Sequence, residues 1–123
     1  MVAPQYAYRG YCERVIDADT LLLRVDCGFH VATTISARLR DIDAPERGTT
    51  DGTAATEYVR ALLRPANLRW DTEDRREPTP LIVESYRDRQ SFARWVCDVW
   101  LAGTGELLAG VLVNAGHAVG TRA

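Results

Sequence analysis

The sequence predicts a single domain over residues 1–123 that consists mainly of β-strand, with two helices added. A chain of this length can bury its own core without disulfide or metal support. The hydrophobic pattern gives three strands, a helix, two strands and a second helix. Five short strands with a helix after the third is the chain order of an OB-type Greek-key barrel, which is the fold class that we predict.

The first third of the chain shows the alternation of antiparallel strands. One strand is predicted over about residues 6–16, and a second around residues 21–25, where every other residue is apolar. After a tight turn at residues 26–28, apolar and polar residues alternate again over residues 29–39. Arg38 belongs to the polar set, so it should lie on the outer face of the third strand.

The first helix is predicted from apolar residues at i, i+3, i+4, i+7 and i+8 in residues 55–63. It follows a polar loop over residues 41–52. Asp51 or Thr53 is expected to cap its start, and Pro65 to end it, because the residue before a proline avoids the helical region.

Two more strands are predicted over residues 81–86 and 95–101, with a turn at residues 87–90 between them. The second helix is predicted to begin near Glu106, with Thr104 as its N-cap, and to stop at Gly116.

Composition limits the classes of protein. The net charge is −2, and all fifteen basic residues are arginine, so phosphate contacts must come from guanidinium or backbone N–H groups.

The three cysteines fit no CxxC motif and predict free thiols in a reducing compartment. The N-terminus lacks the features of a secretory signal. We expect a cytoplasmic protein, and a phage-encoded protein acting in its host cell fits the same features.

Two acidic clusters stand out. Asp17 and Asp19 lie between the first two strands, and Asp43 and Glu46 follow the third. Carboxylates at strand ends can converge on a hard cation such as calcium. The alternative is that Asp-x-Asp segments are turn formers whose side chains bond the local backbone.

Two arginines join these carboxylates in a set of groups that suits one reaction. Arg38 precedes Asp43 by five residues, and Arg94 opens a strand beside Trp95. Carboxylates for a metal, one carboxylate for water and two guanidiniums for a phosphate together suit phosphodiester hydrolysis.

These residues resemble the staphylococcal nuclease (thermonuclease) family. The likeness rests on three separated motifs in the right order and on the pattern of the second helix, and it covers about residues 9–118. The motifs are Val15-Ile16-Asp17-Ala18-Asp19-Thr20, Arg38-Leu39-Arg40-Asp41-Ile42-Asp43-Ala44-Pro45-Glu46 and Ser91-Phe92-Ala93-Arg94-Trp95. The resemblance implies an OB-fold barrel and a calcium-dependent endo- or exonuclease that hydrolyses DNA, RNA or both and leaves 3′-phosphate ends.

The resemblance also assigns a calcium site. Asp19 and Asp43 would be direct ligands of the ion, with the backbone carbonyl of Ala44 beside them. Asp17 would support the site from nearby.

The catalytic roles come from the same resemblance. Glu46 would position or deprotonate the attacking water. Arg38 and Arg94 would bind the scissile phosphate and stabilise the charge that develops on it.

The chain departs from the family at several places. Ala44 stands where the family usually has threonine, and Ser91-Phe92 replaces a frequent Lys-Tyr pair. Phe92 would still stack a base of the substrate. The family's third helix has no counterpart, so either the barrel tolerates its loss or a homo-oligomer covers that surface.

A second function class remains open. Some domains of this kind bind nucleic acid or other partners without catalysis. The presence of the full set of carboxylates and arginines favours the enzyme over such a binding or interaction module.

Overall fold

The fold was determined as a computed structural model that describes residues 3–68, 77–91 and 94–121. The described strands are β1 (Ala7–Asp17), β2 (Thr20–Asp26), β3 (Ala32–Leu39), β4 (Ile42–Asp43), β5 (Leu81–Ser91), β6 (Arg94–Leu101) and β7 (Val119–Gly120). The described helices are α1 (Thr50–Leu63), α2 (Leu108–Asn114) and a short 3₁₀ turn at Ala66–Leu68. β1, β2, β3, β6 and β5 close into a barrel in that order, which confirms the predicted OB-type class.

The barrel is antiparallel except at one seam. β1 pairs with β2 and β5, β2 pairs with β3, and β5 pairs with β6, all in antiparallel register. β3 and β6 meet in parallel along Ala37–Leu39 and Trp95–Cys97. This short seam closes the barrel and sets β6 beside the end of β3.

The core fills the barrel and the space under the two helices. α1 packs against β1, and α2 packs against β6. The largest fully buried side chains are Leu21, Leu23, Leu39, Leu63, Leu81, Leu108, Leu112, Val15, Val59, Val83, Val99 and Thr56. The apolar positions that predicted β2 and α1 are thus the positions that form the core.

The start of α1 differs from the prediction. Neither Asp51 nor Thr53 is the N-cap; Thr49 is, and its Oγ1 accepts a hydrogen bond from the amide of Gly52 at 2.9 Å. Thr49 also has the extended backbone that a cap residue needs. The end is as predicted, because Arg64 leaves the helix in the left-handed conformation directly before Pro65.

The start of α2 differs too. The helix begins at Leu108 without a side-chain cap, and Thr104 instead accepts a hydrogen bond from the amide of Glu106 at 3.3 Å in the preceding turn. Gly116 has a φ of 80°, which confirms it as the residue that stops the helix.

Two strand predictions also need correction. β3 begins at Ala32 rather than at Phe29, because Phe29 and His30 have φ values of 56° and 60° that no strand allows. Phe29 is 97% exposed and does not share the apolar face. The predicted turn at residues 87–90 belongs to β5, which continues past a register shift between Ser85 and Gln90.

The three cysteines are free, as predicted. Cys12 and Cys97 are fully buried, and Cys27 is half-buried. Burial raises the pKa of Cys12 to about 12 and that of Cys97 to about 11. Among the described helices, none has the length and apolar character to cross a membrane.

The buried thiols predict that stability falls in alkaline solution. Unfolded thiols lose their protons near their ordinary pKa of 9.0, while the folded ones hold them to about 12 and about 11. The folded state then binds more protons, so its stabilisation is lost as pH rises above about 9. We expect the free energy of unfolding to drop by about 1 kcal/mol per thiol between pH 8 and pH 10. Urea titrations at both pH values measure this drop.

The matched control is the double variant Cys12→Ala, Cys97→Ala. It should be less stable at pH 8 but lose less stability on going to pH 10. Equal losses in both proteins would show that the two thiols do not cause the effect.

Candidate functional site

Asp19 sits in the tight turn between β1 and β2, where Asp17 and Thr20 pair across the strands. The carbonyl oxygen of Asp19 accepts a hydrogen bond from the amide of Leu39 at 2.9 Å. This bond ties the turn to the end of β3. Asp19 is therefore held at one end of the barrel, with only 9% of the residue exposed.

Arg38 lies near the end of β3, on its outer face as predicted, opposite Thr20 of β2. Its Nη1 is 2.6 Å from Oδ2 of Asp19. Its Nη2 donates to Oδ1 of Asp43 and, at 3.1 Å, to the carbonyl of Ile42. One guanidinium thus joins the β1–β2 turn to the segment that follows β3.

Asp43 is held by a strand pair that the sequence analysis missed. Asp41 turns the chain with a φ of 64°, and β4 then pairs with β7 through Ile42–Gly120 and Asp43–Val119. The amide of Thr121 adds a hydrogen bond to the carbonyl of Asp41 at 2.9 Å. Two-residue strands leave no periodic pattern, so β4 and β7 had no sequence signal.

Ala44 contacts Asp19 through its amide. The N–H of Ala44 donates to Oδ2 of Asp19 at 3.0 Å, and the hydroxyl of Thr20 donates to Oδ1 at 3.1 Å. Both carboxylate oxygens of Asp19 therefore have fixed donors. The metal role that the resemblance gives to the carbonyl of Ala44 stays a prediction.

The electrostatics of the site centre on Arg38. Its partial burial acts to lower the pKa, but the nearby carboxylates of Asp19 and Asp43 outweigh this and raise it above the ordinary value. The side chain of Asp19 is 13% exposed and that of Asp43 is 58% exposed. The carboxylate of Asp19 is thus largely shielded from water, whereas Arg38 is half-buried and Asp43 faces solvent.

Glu46 is exposed in the loop between β4 and α1. Its carbonyl oxygen accepts a hydrogen bond from the hydroxyl of Thr49 at 2.7 Å, which places it at the first turn of α1. A Cβ atom on Gly52 would lie 1.7 Å from this oxygen, so only glycine permits the approach. Gly52 was predicted to belong to the loop over residues 41–52, and its contact with Glu46 was not predicted.

Arg94 is exposed at the start of β6. The seam pairs Arg38 with Val96, so Arg94 lies two residues earlier on the same outer face. Within the described part of the chain, Arg94 makes no ion pair with Asp19 or Asp43. The structure therefore brings Asp19, Asp43, Ala44 and Arg38 into contact and leaves Arg94 on the adjoining surface.

Asp17 and Phe92 are the remaining predicted site residues. Asp17 ends β1, is half-buried and pairs with Thr20, whose hydroxyl bonds Asp19, so the predicted supporting role of Asp17 stays a prediction. Phe92 lies outside the described residues, so its predicted stacking role stays a prediction.

A second polar cluster lies on the outer faces of β5 and β6 and directly after the end of β3, and it was not predicted from the sequence. Asp98 is 5% exposed and accepts hydrogen bonds from Arg40 at 2.9 Å and from the hydroxyl of Tyr86 at 2.7 Å. Tyr86 also lies 2.7 Å from Glu84, and its ring stacks under Arg40 at 4.3 Å. Burial, then the contacts with Asp98 and Glu84, raise the pKa of Tyr86. Arg40 and Asp98 are 58 positions apart in the sequence, so no local motif predicts their contact.

The donor chemistry of the Asp19–Asp43 cluster fits a hard cation in part. In residues 3–68, 77–91 and 94–121, no three His, Cys, Asp or Glu side chains are grouped so as to hold a metal ion. Two carboxylates do converge here, from separate segments, on the guanidinium of Arg38. Calcium also accepts backbone carbonyl and water oxygens, so Asp19 and Asp43 suit an ion that keeps several waters.

Comparison with known proteins adds no assignment. No protein-family model matches this chain, and no curated protein matches it. The likeness to the staphylococcal nuclease family therefore stays a prediction from the motifs themselves.

The close approach of α1 to Glu46 yields a test of how the loop is held. Gly52→Ala places a methyl group against the carbonyl of Glu46, so the loop or the first turn of α1 must move. We expect a loss of about 1–3 kcal/mol in the free energy of unfolding, measured by urea titration.

The matched control is Gly110→Ala in α2, where the new methyl group meets nothing within 4 Å. This variant should be as stable as the parent or slightly more so, because alanine favours helix. If Gly52→Ala behaved like Gly110→Ala, the loop would not depend on the close approach.

Proposed function

We propose that this chain is a calcium-dependent nuclease that hydrolyses phosphodiester bonds of DNA, RNA or both. One observation supports the proposal above all others. Asp19 and Asp43 come from separate segments, 24 positions apart in sequence, and meet on the guanidinium of Arg38 at one end of the barrel. A pair of turn-forming Asp-x-Asp segments without a shared role would not need to converge.

Arg38 and Arg94 would bind the phosphate. The described contacts of Arg38 use Nη1 and Nη2, so the Nε–H remains as a donor on the same planar group. Arg94 is exposed on the adjoining surface and offers a second guanidinium. Two such groups offset the charge of a phosphodiester, and they do so most where negative charge grows in the transition state.

Glu46 would take the proton of the attacking water. Its carboxylate is exposed, and its backbone is fixed by Thr49 and by the approach of Gly52. A positioned general base of this kind needs a rigid backbone and access to water, and this loop provides both.

A calcium ion held by Asp19 and Asp43 would act as a Lewis acid that offsets the negative charge of the phosphate. For such an ion to bind, Asp19 and Asp43 would have to exchange Arg38 for the cation, because Arg38 already neutralises both carboxylates. Binding of a cation there would free guanidinium N–H groups for the phosphate.

A non-catalytic nucleic-acid-binding or interaction module is the second candidate. The pairing of both carboxylates with Arg38 favours it, because the same contacts suffice to hold the loop in place without a metal. Cleavage assays separate the two candidates.

The first test is Glu46→Gln on a single-stranded oligonucleotide, with calcium and with a chelator. The parent chain should cut only with calcium. The variant should retain binding and lose at least about 100-fold in rate, because an amide cannot accept the proton.

Glu106→Gln is the matched control, since Glu106 is also exposed and lies in the turn before α2. It should cut at the parent rate. Binding without cutting by the parent chain, in every metal tried, would select the non-catalytic module.

The second test is Arg94→Lys. Lysine keeps the charge but loses the planar fork, so we expect the rate of cleavage to fall about 100-fold with unchanged thermal stability. Arg9→Lys, at an exposed position of β1, is the control and should leave the rate unchanged. Near-parental cleavage by Arg94→Lys would remove Arg94 from the phosphate site.

A further inference from the structure

Arg47 is a charged residue at the Asp19 end of the barrel that the proposed function does not use. It follows Glu46 directly, and it is exposed. Its Nη1 donates a hydrogen bond to the carbonyl oxygen of Ile16 at 3.2 Å. Ile16 is the next-to-last residue of β1 and lies 31 positions earlier in the sequence. The side chain of Arg47 therefore reaches from the loop to the strand that leads into the Asp19 turn.

The backbone of Arg47 is held as well. Arg47 forms an isolated β-bridge with Thr49, the N-cap of α1. The amide of Thr49 also donates to the carbonyl of Glu46 at 3.3 Å, so the three residues form one tight turn. The backbone of Arg47 is thus fixed at the start of α1, and its guanidinium is fixed on β1. A group that is already ordered loses less rotational freedom when it binds a ligand.

The charge of Arg47 has no carboxylate partner among the ion pairs of the described residues. Arg38 differs, because both of its Nη atoms contact carboxylates. Glu46 precedes Arg47 in the sequence and Asp17 follows its contact on β1, yet neither forms an ion pair with it within residues 3–68. The described hydrogen bond uses one N–H group, so the other donors of the guanidinium are available to an anion.

The pairing of the strands gives the distance between this guanidinium and the proposed phosphate site. Asp17 pairs with Thr20, and Thr20 pairs with Arg38, so the three residues form one row across β1, β2 and β3. Neighbouring strands lie about 5 Å apart, so the end of β1 is about 10 Å from the backbone of Arg38. Arg47 is anchored on Ile16, the residue before Asp17. An anion on Arg47 would thus lie beside a phosphate bound by Arg38, as a separate group.

We infer that Arg47 binds a second phosphate of the nucleic-acid strand, next to the scissile one. Arg38 and Arg94 contact the scissile phosphate, and Arg47 contacts a neighbouring phosphate of the same strand. The arrangement selects a chain of consecutive phosphodiesters over a dinucleotide that holds a single one. The planar guanidinium matches the oxygens of that phosphate through paired N–H groups. The inference rests on the proposed function, because it extends the phosphate site proposed there.

The test measures binding in the presence of a chelator, so that no strand is cut, over a range of salt concentrations. The probes are a short single-stranded DNA and a dinucleotide with one phosphodiester. Arg47→Met removes the charge and keeps an unbranched side chain. It should weaken binding of the DNA about fivefold and reduce the slope of log K against log salt by about 0.7, the contribution of one phosphate contact on a single strand. Binding of the dinucleotide should change by less than about twofold.

Two further variants complete the test. Arg47→Lys keeps the charge and should retain most of the salt slope of the parent. Arg9→Met is the matched control, because Arg9 is an exposed arginine of β1 that pairs with Asp26 at the far end of the strand. It should bind both probes like the parent. With calcium, Arg47→Met should raise KM for the DNA about fivefold and change kcat little, because the contact is made before and during the reaction alike.

The outcomes separate this inference from the proposed function. Parental binding and an unchanged salt slope in Arg47→Met would overturn the inference. Equal weakening of both probes together with lower thermal stability would overturn it as well, because Arg47 would then only hold the loop on β1. Cutting by the parent without any effect of Arg47 rejects the second phosphate contact alone. A reduced salt slope in Arg47→Met, without cutting by the parent in any metal, rejects the nuclease alone.

Discussion

The ion pairs of Arg38 with Asp19 and Asp43 are the interaction on which the site depends. They connect the β1–β2 turn, the end of β3 and the segment after it, and they add to the hydrogen bonds that Leu39 and Ala44 donate to Asp19. The Asp19 side of this arrangement is shielded from water, so removing the guanidinium would leave a buried carboxylate without its partner. In the proposed function the same group also binds the phosphate. Under that proposal, its position would couple the shape of the loop to the binding of an anion.

The charged groups and the aromatic groups lie on different parts of the barrel. Carboxylates and guanidiniums lie on the outer face and at the Asp19 end, while a cavity lined by Tyr6, Tyr8 and Trp95 opens at the other end. The alternation of β6 places Arg94 and Trp95 on opposite sides of one strand.

Much of the fold could be predicted because it follows from periodicity. Alternation fixed the outer position of Arg38, and helical spacing located α1. The caps, the pairing of β4 with β7 and the Asp98 cluster could not be predicted. Thr49 competes with Asp51 and Thr53 as a cap, and only the path of the loop decides between them. Contacts between Arg40 and Asp98 depend on the parallel seam, which no local pattern encodes.

The pairing of β4 with β7 has a practical consequence for the handling of this protein. Val119 and Thr121 hold the segment that carries Asp43, so a change at or beside these residues acts on the same strand pair. Tyr6 lies at the far mouth of the barrel, away from that strand. Affinity tags, fluorophores and surface tethers are therefore better attached at the amino terminus if the carboxylate cluster is to keep its shape.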